Sequence, residues 1–263
     1  MGMSENNLNA KEILEFYLLS GVDETCGNEV AFRIDNKKEA KDVETKATDG
    51  FKSVPSHLAF DAKVAVESAN NLCDNVSSID ELKKLIENFE GCSLKNTALS
   101  TVVGDGNPNS KIMFIGEAPG ADEDRIGRAF VGKSGQLLDK MLSSIGLNRD
   151  NCYICNILPW RPPGNRAPSD SEIAVCLPFL KKQIEIVEPD IIFALGTVAV
   201  NTLLDNAESI SKLRGKWMEF KLQNGKVVDV MAGYHPAYLL RSPAQKAKAW
   251  SDFLRLKKRI DEK

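Results

Sequence analysis

Lys111-Ile-Met-Phe-Ile-Gly-Glu117, running into Ala118-Pro-Gly-Ala-Asp-Glu-Asp-Arg-Ile-Gly-Arg-Ala-Phe-Val-Gly132, decides the fold. Ile112 to Ile115 are apolar without alternation, which suits a short strand buried on both faces. The Gly/Pro/Asp-rich region after it, 116–135, reads as a turn. Residues 135–145 then place Leu138, Met141, Leu142 and Ile145 at helical spacing, and Gly146 suits the C-terminal cap. A buried strand, a polar turn and a helix make one turn of an α/β winding.

The same alternation continues downstream. Residues 152–158 (Cys-Tyr-Ile-Cys-Asn-Ile-Leu) read as a second strand. Ser169-Asp-Ser-Glu172 is a capping box, and the helix it opens carries Ile173, Cys176, Leu177, Leu180 and Ile184. Residues 190–195 form a third strand, with a helix from Gly196-Thr197. Residues 227–233 form a fourth, running into His235-Pro236. Ser242-Pro243 caps a final helix through about Arg259. The pattern predicts a three-layer α/β/α sandwich on a central, largely parallel four-stranded sheet, plus a helical N-terminal extension. Ligands of such sheets bind beyond the carboxyl ends of the strands, where Glu117, Asn156 and His235 fall.

Upstream, residues 9–19 read as a helix within an N-terminal segment 1–26. Residues 27–59 are charged and aperiodic, and read as an acidic mobile linker. Residues 60–90 form a helical extension, with a capping box at Ser78-Ile-Asp-Glu81. The α/β domain is expected over 91–263. Net charge is −3, but unevenly spread. Residues 1–90 hold 10 Lys/Arg against 18 Asp/Glu, and residues 91–263 hold 24 against 19. The basic second part is compatible with a nucleic-acid partner. No run approaches the roughly 18 apolar residues that span a bilayer, and Met1 to Lys11 lacks the pattern of a signal peptide. Six cysteines are too few in 263 residues for a disulfide framework, which points to reduced thiols in a cytoplasm.

Three segments carry chemistry. They are Gly116 to Gly132, Asn156 with Trp160-Arg-Pro-Pro-Gly-Asn-Arg166, and His235-Pro-Ala-Tyr-Leu-Leu-Arg-Ser-Pro243. In their order and spacing the chain resembles the uracil-DNA glycosylase superfamily, and within it family 4, from about Gly91 to Arg259. The resemblance implies an enzyme of base excision repair. It extrudes uracil from single- or double-stranded DNA, hydrolyses the N-glycosidic bond and leaves an abasic site. It also implies roles. Phe130 stacks on the base, and Asn156 reads its edge, because an amide offers both the donor and the acceptor that uracil O4 and N3–H require. His235 donates to the charge that gathers on O2 as the bond breaks. Glu117 and Glu123 are the acidic candidates, Glu123 for water positioning and cation stabilisation, and Asn165 is a candidate to assist the water. Ala118 stands where family 1 has an aspartate. Gly120 sets no bulky side chain against larger bases. Tyr238, Leu239, Leu240 and Arg241 match the loop that enters the minor groove, with core packing as the alternative for the two leucines. Lys246 and Arg214 are candidate phosphate contacts.

Family 4 also implies an iron–sulfur cluster on four cysteines. Here Cys92 and Cys176 match two positions, while Lys95 and Trp160 stand at the others. A cluster needs soft thiolates, so the reading is no cluster, no other metal and no cofactor. Cys152 and Cys155 have ligand-like spacing, but on a strand they face opposite sides. The chain is expected to act as a monomer without a membrane partner. Two alternatives stay open: a protein that binds abasic or damaged DNA with weak or no glycosylase activity, and a glycosylase for another deaminated base.

Overall fold

The computed structural model describes residues 62–205 and 207–263. The chain divides into two units, Met1–Val54 and Pro55–Lys263, and every described residue belongs to the second. The helix expected at 9–19 and the linker expected at 27–59 lie outside the described residues.

Six strands form one sheet: β1 (Gly104–Gly106), β2 (Ile112–Gly116), β3 (Tyr153–Asn156), β4 (Ile191–Leu195), β5 (Trp217–Lys221) and β6 (Val227–Gly233). Their spatial order is β1-β3-β2-β4-β6-β5. The inner four, β3-β2-β4-β6, are parallel and are the four that the apolar runs predict. The two edge strands pair antiparallel, β1 on β3 and β5 on β6. They escape the sequence pattern because Gly-Asp-Gly has no apolar signature and no residue of Trp217–Lys221 is fully buried.

Alternate strand residues fill two separate cores. Met113, Ile115, Cys155, Ile192, Ala194, Val230 and Ala232 face one side. Ile112, Phe114, Cys152, Ile154, Ile191, Phe193, Leu195 and Met231 face the other. Cys152 and Cys155 therefore lie in different layers, as the strand period requires. The first core is covered by α1 (Ala62–Cys73), α2 (Ile79–Asn88), α5 (Asp170–Val187) and α6 (Thr197–Leu204), and the second by α4 (Lys133–Ser143) and α9 (Lys246–Asp261). Three short helices complete the fold, α3 (Ala121–Ile126), α7 (Ile210–Leu213) and α8 (Pro236–Arg241). The helix starts follow local chemistry. The Ser78 hydroxyl accepts the Glu81 N–H. At α5, Ser169 Oγ accepts the Glu172 N–H and the Glu172 carboxylate accepts the Ser169 N–H, so both arms of the box form.

Residues 62–90 pack with the chain that follows the boundary expected at residue 91. Ala65, Ala69, Leu82, Ile86 and Phe89 belong to the same core as Phe179 and Ile184 of α5, and the Phe89 and Phe179 rings meet edge-on with centroids 5.0 Å apart. Residues 62–90 are thus part of the outer layer of the sandwich. The final helix also starts later than its Ser-Pro signal. A single 3₁₀ turn spans Pro243–Gln245, and α9 opens at Lys246.

From β2 the chain crosses to β3 on one side, and from β3 to β4 on the other. The loops leaving β2 and β4 therefore diverge, which opens a crevice at the carboxyl ends of the strands. The register sets Gly116 beside Asn156, and Leu195 beside Gly233. The last residues of β2 and β3, and His235 just beyond β6, are thereby held at one edge.

Candidate active site

A pocket of 410 Å³ occupies this edge. It gathers most of the residues the sequence singles out: Glu117, Ala118, Gly120, Glu123, Phe130, Asn156, Asn165, His235, Tyr238 and Arg241. Ser134, Pro162 and Arg166 line it too, although the sequence assigned them no part. Arg166 pairs through both terminal nitrogens with Glu172, and these hydrogen bonds hold the Glu172 carboxyl down at about 2. Its signal was the Pro-Pro-Gly-Asn-Arg run. Ser134 had none.

Asn156 is 3% exposed, and its Oδ1 is buried with no hydrogen-bond partner. An unmet buried acceptor costs about 1–3 kcal/mol unless a ligand supplies the donor. The space above it is kept by Gly116. A Cβ there would lie 2.4 Å from Asn156 Oδ1 and 2.5 Å from Phe130 Cζ, so any side chain would fill the floor of the pocket. The Phe130 ring packs near the His235 imidazole, with centroids 5.6 Å apart.

His235 caps the N-terminus of α8, where its Nδ1 accepts the N–H of Ala237 at 3.1 Å. A nitrogen that accepts carries no proton, so the proton of the neutral ring is on Nε2. The ring is neutral because burial, and then the charge of Arg241, push its pKa down to about 4. The tautomer hidden in the sequence thus follows from one backbone bond.

The two glutamates differ in environment. Burial pushes the Glu117 carboxyl above its ordinary range. Glu123 is 6% exposed and committed to the backbone. One oxygen accepts the Gly120 N–H at 3.1 Å, and the other accepts those of Val131 at 2.9 Å and Gly132 at 2.8 Å. Both Glu123 oxygens are thus spent on backbone N–H groups of the pocket wall. Asn165 spends its amide oxygen on Arg161 Nε at 2.7 Å.

Two other expected DNA contacts lie as follows. Arg214 does not face outward for phosphate: its guanidinium is paired with Asp252 at 2.7 and 3.0 Å and lies 5.4 Å over the Tyr234 ring. Leu239 is 1% exposed and packs with Tyr234 and Ala249, whereas Leu240 is 43% exposed. The helical turn of α8 points successive residues in different directions, so of the two leucines only Leu240 is outside the core. Lys246 opens α9, immediately after this segment.

The cysteine positions do not fit an iron–sulfur cluster. Cys92 and Cys176 are buried, and the Cys92 side chain together with burial pushes the Cys176 thiol well up. At the other two positions, Lys95 pairs with Glu90, and Trp160 is 1% exposed with its Nε1 donating to Thr101 Oγ1 at 3.1 Å. An ammonium and an indole supply no thiolate. Among the described residues no group of three or more His, Cys, Asp or Glu side chains is arranged to hold a metal ion. Among them too, no helix is long and apolar enough to cross a membrane.

Residues 103–254 match the profile of the uracil DNA glycosylase superfamily. The chain is similar to a type-4 uracil-DNA glycosylase of Archaeoglobus fulgidus, 40% identical over 185 residues, which covers 69% of this chain and 92% of that protein. It is 42% identical over 158 residues to a type-4 uracil-DNA glycosylase of Thermotoga maritima, covering 60% of this chain and 80% of the relative. A type-5 uracil-DNA glycosylase of Pyrobaculum aerophilum is 32% identical over 149 residues, covering 51% of this chain and 64% of its own.

Proposed function

Because this chain belongs to the uracil-DNA glycosylase superfamily, we propose that it excises uracil from DNA by hydrolysing the N-glycosidic bond. The observation that carries the reading is the unpartnered Oδ1 of Asn156 at a pocket beside Phe130 and His235. The uracil N3–H is the donor that this oxygen lacks, and the amide nitrogen of the same side chain is the donor for O4. A flipped uracil would stack on Phe130, whose aromatic face binds without choosing the base. As the bond from C1′ to N1 breaks, the electron pair stays with uracil. His235 Nε2–H, already neutral and fixed by Ala237, donates to the charge on O2 without moving a proton. Glu117, in an environment that makes it the better base, holds the water that attacks C1′. Glu123 acts by keeping Gly120 and the Val131–Gly132 backbone in place. Ala118 offers no carboxylate and serves as wall.

Leu240 and Tyr238 enter the gap left by the base, and Arg241 and Lys246 meet phosphates. Every group comes from one chain, so the reading is of a monomer that releases uracil and leaves abasic DNA, in a cytoplasm where thiols stay reduced. It includes no cluster: purified protein is expected to hold no stoichiometric iron, and about four irons per chain with broad absorbance near 400 nm would reverse that.

Single-turnover release of uracil from a uracil-containing oligonucleotide tests the function, beside Asn156→Asp. The substitution removes the donor at O4 and sets a charge against the uracil anion, so excision should fall by at least about 10²-fold. Near-normal excision in a folded variant would remove Asn156 as base reader. Binding of abasic DNA by a wild-type protein that releases no uracil would favour the binding-protein alternative.

A further inference from the structure

Phe130 holds a backbone conformation that aromatic residues rarely adopt. Its φ is +54°, in the left-handed region. Its carbonyl is pressed against the start of α4, where a Cβ on Gly135 would lie 1.8 Å from the Phe130 oxygen. Such a turn persists only when its surroundings over-determine it. Here they do so with two opposite charges. On one side Glu123 accepts the N–H groups of Val131 and Gly132. On the other, the Arg149 guanidinium donates to the carbonyl of Ala129 at 2.9 Å and to that of Phe130. Four consecutive residues around the base-stacking ring are thus gripped, carbonyls by a cation and N–H groups by an anion.

Arg149 is itself fixed. It comes from the loop before β3 and pairs with Asp105 of β1 and, through Nε at 3.0 Å, with Asp139 of α4. Arg128 closes on the same Asp105 carboxylate. A planar guanidinium can address two carbonyls and two carboxylates in one arrangement, whereas an ammonium cannot. Arg149 is not among the residues lining the pocket, and of the two residues whose carbonyls it holds, Phe130 is the one that does line it.

We propose that Arg149 is the positioning residue for the stacking platform. Locked by Asp105 and Asp139, it holds the Phe130 peptide in its left-handed turn and so keeps the ring against Gly116, beside Asn156. The effect on catalysis rests on the uracil-excision reading. The effect on the turn does not.

The test uses full-length protein with Arg149→Met, which keeps an apolar stem, and Arg149→Lys, each made alone and with Phe130→Ala. Three quantities are read: single-turnover uracil excision, affinity for uncleaved DNA, and amide hydrogen exchange in a peptide covering 126–136. Arg149→Met should slow excision by about 10²-fold, the scale of a small misplacement of a substrate-positioning group. DNA affinity should change by less than about threefold, while exchange in 126–136 rises well above wild type. In the Phe130→Ala background the same change should cost less than about threefold, because the group it acts through is gone. Arg149→Lys should recover only part of the loss, and it carries the test if the methionine variant fails to fold. Equal losses in both backgrounds, or unchanged exchange over 126–136, would overturn the proposal and leave Arg149 a general tie between elements. If wild-type protein releases no uracil, the functional reading fails instead, and the exchange comparison alone decides the positioning role.

Discussion

A histidine is chosen as a catalytic donor at neutral pH only if its proton is on the right nitrogen, and at His235 the Ala237 N–H makes that choice. The prediction is double. His235→Ala should lower single-turnover excision by roughly 10²–10³-fold, the cost of one oxyanion-type donor, with little change in affinity for uncleaved DNA, because Phe130, Asn156 and Leu240 remain. Weaker binding and a lower melting temperature together would mark the ring as a structural cap only. The second part concerns pH. The folded ring titrates at about 4, against about 6.5 in the unfolded chain. Between those values the unfolded chain binds a proton that the native chain does not, so this contribution to stability is whole above pH 6.5 and is lost as pH falls through 4. Excision should accordingly show no histidine inflection near 6.5. An inflection there would mean that the ring is not held neutral.

At the scale of the element, α8 divides adjacent leucines between two tasks. Leu239 is buried with Tyr234 and Ala249, and Leu240 is at the surface. Leu239→Ala should therefore cost about 2–5 kcal/mol of stability, the usual range for a buried leucine. Leu240→Ala should leave thermal melting within about 0.5 kcal/mol of wild type. It should still weaken excision from duplex DNA by about tenfold, since a wedge offsets the few kcal/mol of unstacking. Excision from single strands, where little stacking is lost, should fall less. Calorimetry and paired substrates check both, and equal effects of Leu240→Ala on the two substrates would remove it as the wedge. The sequence made the Leu-Leu pair visible and left core packing open for it, but which leucine is buried depends on how α8 packs against Tyr234 and Ala249, which lie outside its own short range.

At the scale of the whole molecule, α1 and α2 are part of the sandwich. Leu82, Ile86 and Phe89 pack in the core that α5 shares with the sheet. Burying each such side chain contributes about 1.5–3 kcal/mol, so removing three approaches the about 5–15 kcal/mol that a domain has in total. A chain beginning at Gly91 should lose cooperative melting at 37 °C, while one beginning at Pro55, the start of the second unit, should keep it. Circular dichroism against temperature distinguishes the two, and a cooperative melt of the Gly91 chain at the wild-type temperature would restore a domain boundary there.

What the sequence determined by itself is what depends on short range. Apolar runs located the four inner strands, capping boxes located α2 and α5, and the polar residues at the strand ends located the pocket, because each signal lies within a few neighbouring residues. What only the tertiary structure decided is where each charged group spends its hydrogen bonds. Arg214 was a plausible phosphate contact until the fold brought Asp252 to it from 38 residues away. Arg149 carried no signal until Asp105, 44 residues away, and the Phe130 carbonyl closed around it. The hydrogen bonds of Glu123 were hidden for the same reason, until a loop eight and nine residues ahead returned its N–H groups to the carboxylate. A side chain's chemistry is written in its type, but its donors and acceptors are finite, and the fold consumes them before any ligand arrives.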